Sequence, residues 1–178
     1  MHSNQIYIEN DRILIRSLNK EDISGIRAMQ SDSQIYRFEP TFLTERHGAP
    51  EEALTAIRNM DLRKDRQCIL GVFTKDDPSV FVGLAEFYDY KPSGKGISIG
   101  YRLLSAHWGK GIATKTVQAM IGYLRNNTEV ELVTAHVIPD NKASSRCLLK
   151  NGFEYLVTKT EDWGYDRPVM AEVYTLDI

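Results

Sequence analysis

The chain has 178 residues, which is long enough for one well-buried domain and short for two. Its formal net charge of −2 gives no overall attraction to nucleic acid or to an anionic membrane surface. No apolar run approaches the length of a bilayer span, and residues 1–10 lack the layout of a signal peptide. We therefore expect one cytoplasmic domain over residues 1–178, with no membrane and no direct nucleic-acid partner. Cys68 and Cys147 lack metal-ligand spacing and are expected to be reduced packing residues.

The first half of the chain predicts a strand region followed by two helices. Residues 5–17 alternate in hydropathy around a central turn, which indicates a strand or a short hairpin. Asn19 is typical of the N-cap of a first helix. Residues 31–49 show no clean period and are predicted to be irregular. Pro50 suits the first position of a second helix, which is expected to end near Lys64.

The second half changes to strands and then alternates strands with helices. Three strands joined by short turns predict an antiparallel meander, at residues 68–74, 80–90 and 96–104. The later elements are a helix at 115–125, a strand at 131–138, a helix at 141–150 and strands at 153–160 and 169–176. This order predicts an α/β (α+β) fold, with a mixed, mostly antiparallel sheet of six to seven strands flanked by about four helices.

Residues 105–114, SAHWGKGIAT, form a glycine-bearing turn between a strand and a helix N-terminus. Backbone N–H groups and the helix dipole favour a phosphate at such a turn, although glycines can also serve only the geometry of the turn. A nucleoside-triphosphate loop needs lysine and a hydroxyl residue after the last glycine, but Gly111 is followed by Ile112 and Ala113. A dinucleotide fingerprint would need a third glycine where Thr114 stands. Both readings are therefore poor.

Two segments together resemble the Gcn5-related N-acetyltransferases, the GNAT superfamily. Residues 108–113, WGKGIA, are similar to the pyrophosphate motif Q/R-x-x-G-x-G/A, with Gly111 and Ala113 on its small positions. Trp108 replaces the glutamine or arginine, as is common in the RimJ/RimL-like ribosomal-protein acetyltransferase branch. Residues 141–153 resemble the N-x-x-S helix of that branch, ending in K-x-G-F. The order of elements extends the resemblance over essentially the whole chain, with residues 31–49 least constrained.

The resemblance implies a single-domain GNAT fold and an acetyl-CoA-dependent N-acetyltransferase, with coenzyme A as product. The acetyl group would pass by direct attack to a primary amine, either a peptide or protein N-terminus or a small amine, with no metal ion. Relatives often dimerise through terminal strands, so a homodimer is implied. An alternative of a different class is a non-catalytic acyl-CoA-binding sensor or interaction module.

Family analogy also implies which residues bind the cofactor. The turn and the following helix N-terminus would hold the pyrophosphate through backbone N–H groups, and the pantetheine arm would pair with residues 101–104 like an extra strand. Asn141 would bond the pantetheine amide, although an N-cap role explains it equally well. Lys115 and Lys142 are further nearby cations. The implied cofactor-binding residues are Tyr101, Leu103, Trp108, Gly109, Lys110, Gly111, Ile112, Ala113, Thr114, Asn141 and Arg146.

Two residues are candidates for catalysis. Alternation places Glu86 on the same strand face as Leu84 and Tyr88, where a carboxylate could act as a base directly or through water, or form a structural ion pair. Many relatives use a tyrosine on the last helix as general acid, but Leu148 stands at the corresponding position. Ser144 matches the serine thought to serve this role in the RimL-like branch, and first-turn capping is its alternative role.

Four further features are weaker candidates. His107 and His136 are the histidines near the predicted site, and imidazole can titrate near neutral pH. Residues 31–49 and 161–168 are expected to form walls of the acceptor site. The second of these, EDWGYDRP, has an acidic and aromatic composition that suits a cationic amine.

Overall fold

The structure, a computed structural model, describes residues 6–38, 48–164 and 166–178. These residues contain eight strands and five α-helices. The strands are β1 (Tyr7–Glu9), β2 (Ile13–Arg16), β3 (Cys68–Thr74), β4 (Phe81–Lys91), β5 (Gly96–Leu103), β6 (Leu132–Val137), β7 (Glu154–Glu161) and β8 (Val169–Asp177). The helices are α1 (Ile23–Ser31), α2 (Pro50–Asn59), α3 (Leu62–Asp65), α4 (Ile112–Asn127) and α5 (Lys142–Lys150).

The strands form one sheet in the order β1-β2-β3-β4-β5-β6-β8-β7. Every neighbouring pair is antiparallel except β5 and β6, which are parallel. The predicted class is confirmed, but the expected strand count of six to seven is too low. The N-terminal alternation forms two strands, because Asn10 Oδ1 accepts hydrogen bonds from the N–H groups of Arg12 and Ile13 and closes a tight turn.

The second predicted helix is shorter than expected. It ends at Asn59, and a separate helix α3 starts at Leu62. The side chain of Asp61 accepts hydrogen bonds from the N–H groups of Arg63 and Lys64, both at 2.9 Å, and so caps a new helix. The single helix that was predicted to end near Lys64 is therefore two helices, with a break between Asn59 and Leu62. The predicted cap at Asn19 lies one turn earlier than expected: its side chain accepts a bond from the Glu21 N–H at 3.0 Å and caps the 3-10 turn Lys20–Asp22, which leads into α1.

Helices cover both faces of the sheet. Helices α4 and α5 pack on one face, and α1 and α2 pack on the other. Ala85 and Phe87 of β4 are buried with the first pair of helices, whereas Leu84 is buried with the second pair. The predicted alternation of β4 is therefore confirmed, and it directs Glu86 and Tyr88 to the α1/α2 face.

Both cysteines are free and buried. Burial raises the pKa of Cys68 to about 12, so its thiol is a packing group at neutral pH.

Part of the predicted irregular stretch 31–49 lies outside the described residues. Within the described ranges, no helix combines the length and the apolar character that a bilayer span requires.

Candidate active site

The sheet opens between its two parallel strands. Strands β5 and β6 pair only from Gly96 to Ser98, opposite Leu132 to Thr134, and beyond this point they diverge within the described chain. Residues 99–103 of β5 and 135–137 of β6 line the resulting cleft, which has a volume of about 1090 Å³. The edge of β5 that leaves β6 can therefore accept an extended ligand as if it were another strand. Tyr101 and Leu103, both predicted to meet the cofactor, lie on this edge.

The predicted phosphate turn closes one end of the cleft. Gly109 and Gly111 have φ angles of +72° and +76°, and α4 begins at the next residue, Ile112. These left-handed conformations favour glycine, which leaves the N–H groups of the turn uncovered by side chains. The indole N–H of Trp108 donates to the Leu103 carbonyl at 2.8 Å and ties the turn to the end of β5. The N-terminus of a 16-residue helix thus faces the cleft.

The guanidinium of Arg12 lies beside this turn, and no sequence pattern predicted it there. Its guanidinium donates to the Lys110 carbonyl at 3.0 Å, and its Nη1 lies 3.6 Å from where a Cβ on Gly111 would stand. Arg12 belongs to the turn before β2, almost 100 residues away in the chain. No local pattern links it to the loop, and only the packing of β2 near α4 brings it there.

The cations predicted from their closeness in sequence are held by other groups or lie outside the lining of the cleft. Lys115 pairs with Asp11 at 2.9 Å, and Lys142 pairs with Glu172 at 3.2 Å. The ammonium group of Lys110 donates to the Ala106 carbonyl. Lys142 is among the described residues that line the cleft, whereas Lys110, Thr114 and Arg146 are not. Arg146 is exposed on α5.

The first turn of α5 presents two predicted residues to the cleft. The side chain of Asn141 accepts a hydrogen bond from the Ser144 N–H at 3.2 Å, so its capping role is real. Because this bond uses the amide oxygen, the Asn141 NH₂ group remains a donor for a ligand. The hydroxyl of Ser144 accepts a bond from the Tyr101 hydroxyl at 3.1 Å. Leu148, which replaces the tyrosine of many relatives, is buried and also lines the cleft.

Glu86 and Arg102 form an ion pair on the α1/α2 side of the cleft. Arg102 Nη1 lies 2.8 Å from Glu86 Oε2, and the two side chains are 19% and 17% exposed. Gly100 lies opposite Glu86 in the β4–β5 register, and its missing side chain keeps space beside the carboxylate. Among the described residues, Arg102 is the hydrogen-bond partner of Glu86. Within the described ranges, the other carboxylate oxygen accepts no hydrogen bond.

A second ionisable pair, His136 and Glu161, also lies on the α1/α2 side of the cleft. His136 Nδ1 approaches both oxygens of Glu161, at 2.9 and 2.8 Å, and the Tyr88 ring centre lies 6.3 Å from the imidazole. Burial alone would raise the pKa of Glu161, but hydrogen bonds from Trp163, Lys159 and His136 outweigh burial and hold the pKa below its usual range. His136 and the predicted loop at residues 161–168 are thus brought together at the cleft. Within that loop, residue 165 lies outside the described part of the chain.

The other predicted histidine, His107, lines the cleft near the phosphate turn. Burial and the nearby Lys110 lower the pKa of His107 below its usual range. His107 is therefore largely neutral at physiological pH, and it adds little positive charge for a phosphate.

Comparison with known proteins identifies the family. The model of the acetyltransferase (GNAT) domain matches residues 12–154. The chain belongs to the GNAT acetyltransferase family. An uncharacterized N-acetyltransferase of Bacillus subtilis, YoaA, is 26% identical over 148 residues, which are 83% of this chain and 82% of that relative. The ribosomal-protein-serine acetyltransferase of Escherichia coli is 30% identical over 82 residues, 46% of this chain and 44% of the relative.

The fold agrees with solved GNAT structures. The structure of RimL, a ribosomal alpha-N-protein acetyltransferase, in complex with coenzyme A has a TM-score of 0.78 and 17% identity to this chain. The match covers 97% of this chain and 98% of RimL. This GNAT protein is an acetyl-CoA-dependent N-acetyltransferase that acts on an amine, and the comparisons give no support to the alternative of a non-catalytic module.

Proposed function

We propose that this N-acetyltransferase acetylates the free α-amino group at the N-terminus of a peptide or protein, in the cytoplasm. The observation that carries the proposal is the two-sided cleft. Asn141 and Ser144 reach it from the α5 side, and the pairs Glu86–Arg102 and His136–Glu161 reach it from the α1/α2 side. A thioester and an amine that enter from opposite faces could meet where β5 and β6 part. The names of the ribosomal-protein relatives support an N-terminal amine as acceptor.

The chemistry of the amine favours the same acceptor. At pH 7, a lysine side chain with a pKa of about 10.4 is neutral in roughly one molecule of 2,500, whereas an α-amine with a pKa of about 7.8 is neutral in roughly one of seven. Only the neutral amine can attack a thioester. An α-amine therefore needs modest help from a base, and a partly exposed carboxylate or imidazole can provide it.

The residues around the phosphate turn fit the proposed place of acetyl-CoA. The N–H groups of residues 108–114 and the start of α4 suit the pyrophosphate, and the Arg12 guanidinium adds a positive charge beside Gly111. The open edge of β5 at Tyr101 and Leu103 suits the amide groups of the pantetheine arm, together with the Asn141 NH₂ group.

We assign the role of base to Glu86 and the stabilisation of the leaving thiolate to Ser144. Glu86 takes one proton from the substrate ammonium, directly or through water, and the neutral nitrogen attacks the thioester carbon. The C–S bond then breaks with its electron pair on sulfur, beside the Ser144 hydroxyl. The nitrogen loses a second proton as the amide forms, and this loss balances the proton that the thiolate gains. Arg102 fixes the position of the Glu86 carboxylate.

The test compares acceptors that differ only in which amine is free. One peptide has a free N-terminus and no lysine, a second has a blocked N-terminus and one lysine, and a polyamine is the third acceptor. Acetyl-CoA is added, the release of thiol is followed, and mass spectrometry locates the acetyl group. We expect the first peptide to be acetylated at its α-amine at a rate at least tenfold above the others. Exclusive acetylation of the lysine peptide or of the polyamine would reject the proposed acceptor.

A further inference from the structure

The hydroxyls of Tyr101 and Ser144 meet across the donor side of the cleft. Tyr101 is carried by β5, just beyond the point where β6 diverges, and Ser144 lies in the first turn of α5. The Tyr101 hydroxyl donates to Ser144 Oγ at 3.1 Å. Both residues line the cleft. A strand tyrosine thus reaches the region in which this chain has Leu148 instead of a helix tyrosine.

The environment of Tyr101 keeps its hydroxyl protonated. Burial, with an added contribution from the neighbouring Cys147, raises the pKa of Tyr101 far above its usual range, although the bond to Ser144 acts in the opposite direction. Such a phenol is too weak an acid to give its proton to a thiolate at neutral pH. It therefore remains a hydrogen-bond donor at neutral pH.

Ser144 is held from two sides. Its N–H is bonded to Asn141, and its hydroxyl oxygen accepts the bond from Tyr101. Among the described residues, no acceptor is found for the proton of the Ser144 hydroxyl itself. A hydroxyl that already accepts one hydrogen bond donates its own proton in another direction, and here the open direction is the cleft.

We propose that Tyr101 is a positioning residue for acetyl transfer, which orients the Ser144 hydroxyl as a hydrogen-bond donor to the sulfur that leaves the acetyl group. Tyr101 takes no part in the covalent step and exchanges no proton with the substrate. The bond from Ser144 stabilises the negative charge that develops on sulfur as the C–S bond breaks. The inference rests on the proposed position of acetyl-CoA in the cleft.

The first measurement needs no acceptor and therefore does not depend on the identity of the amine. Coenzyme A is bound to the wild type and to Tyr101→Phe, Ser144→Ala and Tyr155→Phe, and the ultraviolet absorbance of the thiolate is followed with pH. A hydrogen bond to the thiolate lowers the pKa of the bound thiol, so Tyr101→Phe and Ser144→Ala should both raise it. Tyr155→Phe is the matched control, because Tyr155 is an exposed tyrosine of β7 that bonds Thr158. An unchanged thiol pKa in Tyr101→Phe would overturn the proposal.

The second measurement is a double-mutant cycle on turnover with the best acceptor. Loss of one neutral hydrogen bond corresponds to about a tenfold change, so Tyr101→Phe should lower kcat about tenfold with little change in KM for acetyl-CoA. In the Ser144→Ala background, the same substitution should change kcat less than about twofold, because the hydroxyl that it orients is gone. Independent, multiplicative effects would contradict the positioning role. A parallel loss of coenzyme A affinity and kcat would do the same, since it indicates damage to the binding site.

The two proposals fail in different ways. If the acceptor panel shows no acetylation of α-amines but the bound thiol responds as expected, only the proposed acceptor is wrong. If α-amines are acetylated and Tyr101→Phe alters neither the thiol pKa nor kcat, only the role of Tyr101 is wrong.

Discussion

The environment of Glu86 could not be predicted from the residues next to it in the sequence. The alternation of β4 predicted its face correctly, but the ion pair with Arg102 depends on the register between β4 and β5. An ion-paired carboxylate can serve as a base while it also contributes to structure. A substitution that removes the charge of Glu86 separates these two roles.

We predict that Glu86→Gln lowers kcat roughly 100-fold at pH 7 with an α-amine acceptor. The defect should shrink as pH rises past the pKa of the amine, because more of the substrate is then already neutral. The measurement is a pH–rate profile with saturating acetyl-CoA. Glu129→Gln, an exposed glutamate before β6, is the control and should match the wild type. Wild-type turnover by Glu86→Gln at low pH would remove Glu86 from the role of base.

Glu172 anchors the start of α5 and should make stability depend on pH. Hydrogen bonds from Tyr174, together with those from Lys142 and Ser145, hold the pKa of Glu172 below its usual range despite partial burial. Since the folded pKa is depressed, the stabilisation is present at neutral pH. It is lost in acid, as the pH falls below the usual glutamate range and through the lower folded pKa.

Glu172→Gln should therefore lower the free energy of unfolding by about 1–2 kcal/mol at pH 7. The difference from the wild type should vanish in acid, because both forms then carry a neutral side chain. Urea denaturation at a series of pH values measures it. A deficit that stays constant down to the acid limit would show that packing, and not the carboxylate charge, is responsible.

At the scale of elements, the turn before α4 combines a left-handed backbone, which glycine allows, with the start of a long helix. Gly111 has its left-handed φ of +76° at the helix N-cap. Gly152 has an equally left-handed φ of +86° after α5, and it does not line the cleft. The two glycines therefore carry the same conformational demand, but only Gly111 belongs to the proposed phosphate site.

We expect Gly111→Val and Gly152→Val each to destabilise the protein by about 1–2 kcal/mol, because a side chain is unfavourable in the left-handed region. Only Gly111→Val should also weaken coenzyme A binding, by at least tenfold, since its side chain would cover the N–H groups of the turn. Thermal unfolding and calorimetric titration measure the two effects. Equal affinity in both variants would remove the turn from the cofactor site.

At the scale of the whole molecule, strand β7 is an exposed edge of the sheet. Tyr155, Leu156 and Val157 are 54%, 61% and 40% exposed, although they belong to a regular strand. Edge strands with exposed apolar side chains are prone to pair with another strand. An antiparallel pairing of two β7 strands that sets Glu154 opposite Lys159 also sets Leu156 opposite Val157. The homodimer implied by the family resemblance stays a prediction, and this edge is where we expect it.

Light scattering coupled to size-exclusion chromatography should give twice the monomer mass for the wild type at micromolar concentration. Leu156→Lys should shift the protein to the monomer, because it places a charge in the paired edge. Met170→Lys, an exposed methionine of β8, is the control and should leave the dimer intact. A wild-type protein that elutes as a monomer would reject the homodimer.

The sequence by itself determined the family and most of the elements. The turn at residues 105–114 and the helix from Asn141 are local patterns, and local patterns depend on short-range geometry such as capping and glycine conformation. The same holds for the alternation of β4, which correctly put Glu86 on the α1/α2 face.

Only the tertiary structure decided which distant side chains meet. Arg12 reaches the phosphate turn across 98 positions, the Tyr101 hydroxyl finds Ser144 across 43, and Glu161 finds His136 across 25. Such contacts depend on strand order and register, which the chain reaches by closing long loops, and no residue spacing encodes them. Two of the predicted cations, Lys115 and Lys142, pair instead with Asp11 and Glu172. Local sequence patterns therefore predicted the backbone turn proposed to bind the cofactor. The side chains that surround this turn are determined by the tertiary fold.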